Sequence, residues 1–372
     1  MADQAAKRLK TDSITVATHN GHFHADEALA VHMLRRHVPE YAGAALVRTR
    51  NPAVLATSHT VVDVGGEYDA AKLRFDHHQR GFTTTFPGRA TKLSSAGLVY
   101  MHFGRGIIER SVRLSESAAA AAAAAAGDAA AAPTADADID MLYNKLYAGF
   151  IEALDAHDNG IDAYDPAELA AANNGAGIAK RFTDGSFTLG AVVGRYNANW
   201  NDADQDQASE DARFEKASAR IGEEFDRELN YLVNGWLPAR SLVQAAFEAR
   251  TEFDSAGRLL VFRSQSCPWK DHLYTKEAET EAKTGTESKV VYVLYPDNEQ
   301  RWRVQCVPAA KDSFTSRKPL PEAWRGHRDG ELDKILEGTV EPGAVFVHAA
   351  GFIGGHRTFE GALAMAKKAL EL

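Results

Sequence analysis

The sequence predicts an α/β protein: a first domain built on a mainly parallel sheet, followed by a second, smaller α/β domain. Three observations support this prediction. The 372 residues are enough for two domains of ordinary size. In the first part, short β-branched strands alternate with amphipathic helices, which is typical of parallel sheets. From Ser241 onwards the spacing of the strands indicates more antiparallel pairing.

Composition narrows the class further. Apolar residues make up 45% of the chain and charged residues 25%, as in soluble globular proteins. No apolar run approaches the length of a bilayer-spanning helix, so we expect no membrane partner. The net charge of -9 argues against a basic surface overall, although it leaves room for a local basic groove. Two cysteines cannot form a disulfide framework, which favours a reducing, intracellular compartment.

The first domain is expected to span 13–236, after a disordered polar tail at 1–12. This tail carries Lys7, Arg8 and Lys10, so a weak nuclear or mitochondrial address is the alternative interpretation. Hydrophobic periodicity predicts the following strands: 13–18, 44–49, 60–64 and 73–75. It predicts helices at 25–37, 94–108 and 141–158, and a long connecting helix near 208–236.

The stretch 115–140 has a different composition. It contains an unbroken alanine run at 118–126, followed by Gly127, Pro133 and alternating aspartates. Alanine favours helix, but this run has no apolar face to bury. We therefore predict a disordered, low-complexity insertion within the first domain.

The second domain is expected at 237–372. Its predicted strands are 258–262, 288–295, 302–307 and 344–348, and its predicted helices are 321–336 and 358–371. Trp269 and Trp324 are candidates for stacking on unpaired bases. The segment 351–357 predicts a glycine-rich turn ahead of a helix, where backbone N–H groups can approach a phosphate. A tight strand-to-helix connection is the commoner explanation of such a turn.

Clustered histidines and aspartates carry the functional prediction. They occur in 19–26 and in 76–78, and Asp63 stands alone between them; each lies at the end of a predicted strand. Carboxyl ends of parallel strands share one edge of a sheet, so these side chains are expected to converge. Mixed oxygen and imidazole ligands suit Mn²⁺, Mg²⁺ or Zn²⁺. Asp63 is the candidate to bridge two metals, which would activate a water for attack on phosphorus.

Two details of these clusters stay open. His77 and His78 point in different directions if the chain is extended, so one is expected to bind metal and the other to donate to a phosphoryl oxygen. Asp155 and Asp158 lie three residues apart at the end of a predicted helix, on one face. Carboxylates are disfavoured there, so either a cation lies nearby or both side chains are exposed to solvent.

Three motifs together resemble a known family. Asp76-His77-His78 resembles the motif that names the DHH phosphoesterase superfamily. The segments 18–27, 75–79 and 155–160 are more closely similar to the melanocyte proliferating gene (MYG1-type) exonuclease family, over almost the whole chain. The resemblance implies a DHH-like catalytic domain. It also implies a 3′-to-5′ exonuclease acting on RNA in mitochondria or nucleus, with the cytoplasm as an alternative, and it leaves a homo-oligomer open.

The same resemblance implies site residues. Two Mn²⁺ ions, with Mg²⁺ as the alternative, would be bound by a set of seven side chains: His19, His24, Asp26, Asp63, Asp76, His77 and Asp155. Asp76, His77 and His78 would be catalytic. His24 stands where the common DHH motif has an aspartate, which leaves the metal preference and the role of His22 open. The implied substrate-binding residues of the second domain are Lys270, Arg303, Arg317, Gly354, Gly355 and His356.

The sequence therefore predicts a metal-dependent phosphodiesterase that removes nucleotides from RNA or a short nucleic acid. One alternative is a phosphoesterase or pyrophosphatase acting on small molecules or oligonucleotides. The other alternative is an RNA-binding protein that uses metal for stability and has no catalytic activity.

Overall fold

The computed structural model describes residues 14–126, 134–172, 183, 185–311 and 313–372. These residues form two compact units, one ending at Val233 and the other beginning at Asn234. The predicted disordered tail at 1–12 lies outside the described residues. Within the described ranges, no helix combines the length and apolarity needed to cross a bilayer.

A five-stranded sheet forms the centre of the first unit. Its strands in chain order are β1 Thr15–Thr18, β2 Ala45–Arg48, β3 Thr60–Val62, β4 Tyr68–Asp69 and β5 Arg74–Phe75. Their spatial order is β2-β1-β3-β5-β4, and all neighbours are parallel except β4 and β5. The predicted α/β class with a mainly parallel sheet is confirmed.

Helices pack around this sheet. The α-helices are α1 Ala25–His32, α2 Pro52–Thr57, α3 Ser95–Ala126, α4 Asp136–Leu146, α5 Glu152–Asp158, α6 Pro166–Ala172, α7 Leu189–Gly194 and α8 Gln207–Tyr231. Wider π-helical turns occupy Met33–His37, Tyr147–Ile151 and Leu232–Trp236. Short 3₁₀ turns occupy Pro39–Tyr41, Ala70–Lys72 and Gly185–Phe187. Asp206 is the N-cap residue of α8, and its side chain accepts a hydrogen bond from the Ser209 amide, the usual way to satisfy a free N–H at a helix start.

The structure differs from the disorder predicted for 115–140. Helix α3 continues through the alanine run to Ala126, and α4 already begins at Asp136; only 127–133 lie outside the described residues. A helix that extends an already packed helix needs no new nucleus, and alanine has the highest helix propensity. The run therefore does not need an apolar face of its own.

The second unit contains another five-stranded sheet. Its strands are β6 Leu259–Val261, β7 Tyr292–Pro296, β8 Trp302–Cys306, β9 Ala344–Val347 and β10 Ile353–His356. Their order is β6-β7-β8-β10-β9, and only β6 and β7 are parallel. The helices are α9 Leu237–Glu248, α10 Lys270–Thr284, α11 Asp329–Leu336 and α12 Phe359–Glu371, with 3₁₀ turns at Ala249–Glu252 and Glu322–Trp324.

Both faces of this second sheet are buried. Consecutive residues of β6 point to opposite faces of the sheet, and Leu259 and Leu260 accordingly belong to two different apolar cores. Trp269 and Trp324 are each 3% exposed within these cores, so the prediction that they stack on bases is wrong. The predicted turn at 351–357 is a strand over Ile353–His356, since its glycines pair with β8 in a regular ladder and with β9 in a ladder whose register shifts between Gly355 and His356.

Candidate metal centre

Three polar side chains directly follow three neighbouring parallel strands. His19 follows β1, Asp63 follows β3 and Asp76 follows β5. Because β2 and β3 lie on opposite sides of β1, the winding of the chain reverses between β1 and β3. Open α/β sheets bind their ligands at the carboxyl ends of strands, beside such a switch point. This edge is therefore where the topology places a site.

Asp63 lies at the centre of the contacts on this edge. Its Oδ2 lies 3.3 Å from His19 Nε2, and its Oδ1 lies 3.4 Å from His77 Nε2. His78 Nδ1 lies 3.6 Å from Oδ1, and Ser95 Oγ donates to the same oxygen at 3.0 Å. Asp63 has a φ of 57°, which is a strained left-handed conformation for a residue other than glycine. Residues in such conformations occur most often at functional sites. Its two oxygens thus face two different groups of ligands.

The Asp26 carboxylate is the clearest sign of a missing partner. It is buried, and neither oxygen has a hydrogen-bond partner in the described part of the chain. Burial, followed by the negative charges of Asp63, Glu27 and Asp158, raises the pKa of Asp26 well above its usual value. A buried carboxylate is costly unless a charge or a metal compensates it. The surroundings of Asp26 therefore fit a bound cation.

The raised pKa values of His19 and His77 also indicate an excess of negative charge at this edge. Burial alone lowers the pKa of His19, but hydrogen bonds to Asp63 and Glu27 reverse this and raise it to about 10. His77 behaves similarly: bonds to Asp158 and Asp63 outweigh burial and raise its pKa to about 10. Carboxylates thus dominate the charge of this edge, and a divalent cation would neutralise them.

The donor atoms form overlapping groups in which all atoms lie within 4.8 Å of one another. The groups are His19, His24, Glu27 and Asp63; Asp63, His77 and His78; and Asp26, His77 and Asp158. Carboxylate oxygens mixed with imidazole nitrogens suit Mn²⁺, Mg²⁺ or Zn²⁺. Sharing of Asp63 and His77 between groups is compatible with two neighbouring ions.

Asp76 holds His78 rather than joining one of these groups. Its Oδ1 accepts from the His78 ring Nδ1 at 2.7 Å and from the His78 amide at 3.1 Å, while Gly66 N donates to Oδ2 at 2.5 Å. Burial raises the pKa of Asp76, but the bonds from His78 and Gly66 outweigh it and lower the pKa. The carboxylate therefore fixes the orientation of a half-exposed imidazole.

Helix α8 and the turn before it hold the loop 19–24 in place. Arg48 is buried and donates to the Gly21 carbonyl at 2.6 Å, and its guanidinium lies over the ring of Phe214. Asn197 Oδ1 accepts from the Phe23 amide at 3.0 Å, and its Nδ2 donates to the Phe23 carbonyl at 2.9 Å. The loop bearing His22 and His24 is thus anchored by Arg48 at the end of β2, which packs on α8, and by Asn197 in the turn before α8.

Replacing Asn197 with alanine is expected to destabilise the protein by about 1–3 kcal/mol, because both backbone groups of Phe23 lose their partner. Urea unfolding measures this loss. Asn199→Ala is the matched control, since Asn199 is exposed and its side-chain Nδ2 donates to the Asp202 carboxylate at 3.4 Å instead. Equal stability of the two variants would contradict the anchoring role.

A cavity of about 570 Å³ opens over these groups. Its lining includes His22, His24, Asp26, Asp63, Asp76, His78, Asp158 and the exposed Arg50. The volume lies within the range of roughly 300–1,000 Å³ typical of small-ligand pockets. The cavity therefore admits a ligand of nucleotide size beside the candidate metal ligands.

Comparisons with known proteins decide the family. The family model MYG1_exonuc, described as an uncharacterised protein family (UPF0160), matches residues 15–370. The chain belongs to this family. It is 44% identical to the mouse protein named MYG1 exonuclease over 377 residues, covering 99% of this chain and 88% of that protein. It is 43% identical to human MYG1 exonuclease, over 95% of this chain and 85% of the human protein. It is 40% identical to the MYG1 protein YER156C of Saccharomyces cerevisiae, over 98% of this chain and 99% of the yeast protein. No solved structure gives a significant match.

In this member of the MYG1 family, Asp155 does not join the ligand groups. Its Oδ1 accepts from Ser94 N and Ser94 Oγ at 3.0 and 2.7 Å, and Tyr147 OH donates to Oδ2 at 2.9 Å. Asp158 lies there instead, with Oδ2 3.0 Å from His77 Nε2. The two aspartates therefore do not share one environment: Asp155 is turned into the protein and Asp158 towards the cavity.

The structure adds residues that the sequence prediction did not select. Glu27, the neighbour of Asp26, accepts from the His24 amide at 2.8 Å and lies 3.1 Å from His19 Nε2. Arg50 follows β2 by two residues and lines the cavity. Arg50 directly follows the predicted strand 44–49, so the reasoning that selected His19 at the end of a strand would also have selected Arg50. That Asp158 rather than Asp155 contacts His77 depends on how the helix packs, which the sequence does not show.

The predicted substrate-binding residues lie in the second unit. Lys270 is exposed at the start of α10. Arg303 pairs with Asp297 at 2.5 Å, and Arg317 makes two bonds of 2.7 Å to Glu277. Three further predicted residues form part of β10: Gly354, Gly355 and His356. The His356 ring is buried, its Nε2 3.0 Å from a carbonyl and its Nδ1 accepting from the Thr358 amide.

Proposed function

We propose that this chain is a metal-dependent 3′-5′ exonuclease that hydrolyses phosphodiester bonds of RNA. The observation that carries the proposal is the donor-free, buried Asp26 carboxylate among Asp63, His77 and Asp158. The names of the mouse and human relatives support the exonuclease class. The 3′-to-5′ direction, the RNA substrate and a mitochondrial or nuclear location are proposed from the family resemblance.

The ligand groups suggest how two Mn²⁺ ions, or Mg²⁺ ions, would be held. Asp63 would bridge, since its Oδ2 faces His19 and its Oδ1 faces His77. The side chains proposed for one ion are His19, His24 and Glu27, and those for the other are Asp26, His77 and Asp158. When bound, such a pair lowers the pKa of water and neutralises charge on phosphate oxygens.

His78 and Asp76 would act on the substrate side. Asp76 accepts a hydrogen bond from His78 Nδ1, and this bond raises the pKa of His78. The ring is therefore biased towards the protonated form, with Nε2–H available as a donor. A donor beside the cavity stabilises the charge that develops on a phosphoryl oxygen in the transition state. His77, buried between Asp63 and Asp158, serves as a ligand in this scheme.

Arg50 is the cationic side chain proposed to bind a phosphate of the substrate. Arg50→Ala is expected to raise KM for a short RNA by roughly 10- to 100-fold, because a hydrogen bond to a charged group contributes about 1.5–3 kcal/mol. The value of kcat should change less. Arg36→Ala is the control, since Arg36 is exposed in the turn after α1 and does not line the cavity. Equal KM values would remove Arg50 from the site.

The second unit is proposed to bind the rest of the nucleic acid. Lys270 is its strongest candidate among the predicted residues, because it is exposed. Arg303, Arg317 and the residues of β10 are weaker candidates, since ion pairs, strand pairing or burial already engage them. We retain 237–372 as the substrate-binding domain of the proposal.

Digestion of single-stranded RNA labelled at either end tests the function. With Mn²⁺, a 3′ label should be released at once as a mononucleotide, while a 5′ label should appear in a ladder of shortening products. EDTA should stop both, and Asp76→Ala should abolish the release. Reversed label behaviour would overturn the direction, and cleavage of DNA alone would overturn the substrate.

The cavity volume of about 570 Å³ favours one alternative, a phosphoesterase for small phosphoesters or short oligonucleotides. The dependence of turnover on chain length separates the two functions. Turnover confined to the shortest substrates supports the alternative. Bound metal without any phosphate release would support a non-catalytic, metal-stabilised RNA-binding protein.

A further inference from the structure

A second group of metal-ligand side chains lies away from the candidate centre. His32 Nε2 lies 3.1 Å from Asp226 Oδ1, and His37 Nε2 lies 2.6 Å from the same oxygen. None of the three residues lines the cavity described above. Their donor atoms all lie within 4.8 Å of one another. Two imidazoles and one carboxylate thus converge from two helical segments distant in sequence.

A local change of helix type brings the two histidines together. Residues five apart on a regular α-helix point about 140° apart around its axis. Helix α1 becomes a π-helical turn at Met33–His37, directly after His32. The rings of His32 and His37 are consequently only 5.6 Å apart between centroids. Such π-helical turns are rare and frequently mark functional sites.

The facing helix makes room for one of the rings. Gly222 lies inside α8, four residues before Asp226, and a Cβ there would approach His32 Nδ1 to 2.0 Å. Glycine inside a helix costs about 0.5–1 kcal/mol relative to alanine. The absence of a side chain at 222 is therefore what lets the His32 imidazole reach Asp226.

The charge and exposure of the group suit a cation. Burial raises the pKa of Asp226, but hydrogen bonds from His32 and His37 outweigh it and leave the pKa well below its usual range. The carboxylate is thus ionised over the physiological range. The side chains of His32, His37 and Asp226 are 13%, 19% and 37% exposed, so an ion and a water ligand can reach them.

We propose that His32, His37 and Asp226 form a separate metal site that takes Zn²⁺. Two neutral imidazoles and a carboxylate, completed by water, form a ligand set that Zn²⁺ accepts in tetrahedral geometry. Binding releases the protons that the two Nε2 atoms carry when they donate to Asp226. The ion links α1 to α8, and the first turn of α1 carries Asp26 and Glu27. The site therefore stabilises the helix that positions ligands of the candidate centre.

Zinc binding to the full-length chain with the double substitution Asp63→Asn/His77→Gln tests this proposal. These changes remove the proposed shared ligand Asp63 and the ligand His77 from the candidate centre, and the further substitutions below assign the remaining zinc to this site or to that centre, so failure of the proposed function and failure of this site are distinguishable. Equilibrium dialysis and metal analysis should find a single remaining tight Zn²⁺ equivalent. Co²⁺ in its place should give the visible absorption of a tetrahedral complex, and Zn²⁺ should raise the Tm.

Adding His37→Gln or Asp226→Asn should weaken this binding by about tenfold or more. Adding His348→Gln should leave it unchanged, because His348 is exposed in the second unit. Gly222→Ala should also remove binding, while circular dichroism stays unchanged. Two outcomes would overturn the proposal: no zinc bound by the double variant, or zinc binding that His37→Gln and Asp226→Asn leave unchanged. In either case His32, His37 and Asp226 would be a hydrogen-bonded cluster without a metal.

Discussion

Asp63→Asn is expected to lower Mn²⁺-dependent nucleotide release at least on the order of 10³-fold, with the fold intact. Asp63 is the side chain whose two oxygens face His19 on one side and His77 on the other. An amide in its place supplies one oxygen and no negative charge. Two cations would then lose their shared ligand, and the neighbouring imidazoles would lose their counter-charge.

Asparagine is the appropriate replacement because of the backbone. Asp63 has a φ of 57°, and asparagine is the residue besides glycine and aspartate that tolerates this region best. Alanine there would add strain to the loss of the ligand. The asparagine variant should therefore keep the unfolding transition of the wild type, measured in EDTA, while losing bound Mn²⁺ and activity together.

Asp69→Asn is the matched control for this experiment. Asp69 is the last residue of β4 in the same sheet, but its side chain accepts from the Ala71 and Lys72 amides in an exposed turn. It should keep wild-type activity. Retention of more than about a tenth of wild-type activity by Asp63→Asn, at saturating Mn²⁺, would exclude Asp63 as the shared ligand.

The strand ends were predictable from the sequence because each strand end is a local signal. A short strand-forming run followed at once by His19, Asp63 or Asp76 fixes which residues leave the sheet at its carboxyl edge. Parallel pairing then brings them together whatever the details of packing. The same logic covers the antiparallel tendency of the second sheet, although β10 was missed because Gly354 and Gly355 predict a turn.

Helix faces were less predictable, because packing rather than spacing decides them. Asp155 and Asp158 look equivalent from the sequence. Asp155 points towards the first turn of α3, where Gly97 leaves space: a Cβ at 97 would approach the Asp155 carboxylate to 2.4 Å. Gly97 appears in the sequence as a weakness of the helix. In the structure it is the gap that receives a buried carboxylate.

Asp155→Asn is expected to change how stability depends on pH. Burial raises the pKa of Asp155 to about 7, against about 4 in an unfolded chain. Between these values the folded state binds the extra proton, so stability falls as pH rises through this window and the full penalty remains above pH 7. Three pKa units correspond to at most about 4 kcal/mol.

Asparagine carries no such penalty and can keep the local hydrogen bonds. Its oxygen can accept from Ser94 while its amide donates to the Tyr147 hydroxyl oxygen. Relative to the wild type, Asp155→Asn should therefore gain stability between pH 5 and pH 8, measured by urea unfolding in EDTA. A difference between variant and wild type that does not change with pH would contradict an Asp155 whose burial outweighs its hydrogen bonds from Ser94 and Tyr147.

Asp158→Asn should behave in the opposite way, and the comparison separates the two aspartates. Asp158 contacts His77 and lines the cavity, so its loss should reduce Mn²⁺ binding and activity by two orders of magnitude or more. Asp155→Asn should retain bound Mn²⁺ and most of the activity. If Asp155→Asn loses the metal and Asp158→Asn keeps it, Asp155 is the ligand after all and the roles derived from the packing of Ser94 and Gly97 are reversed.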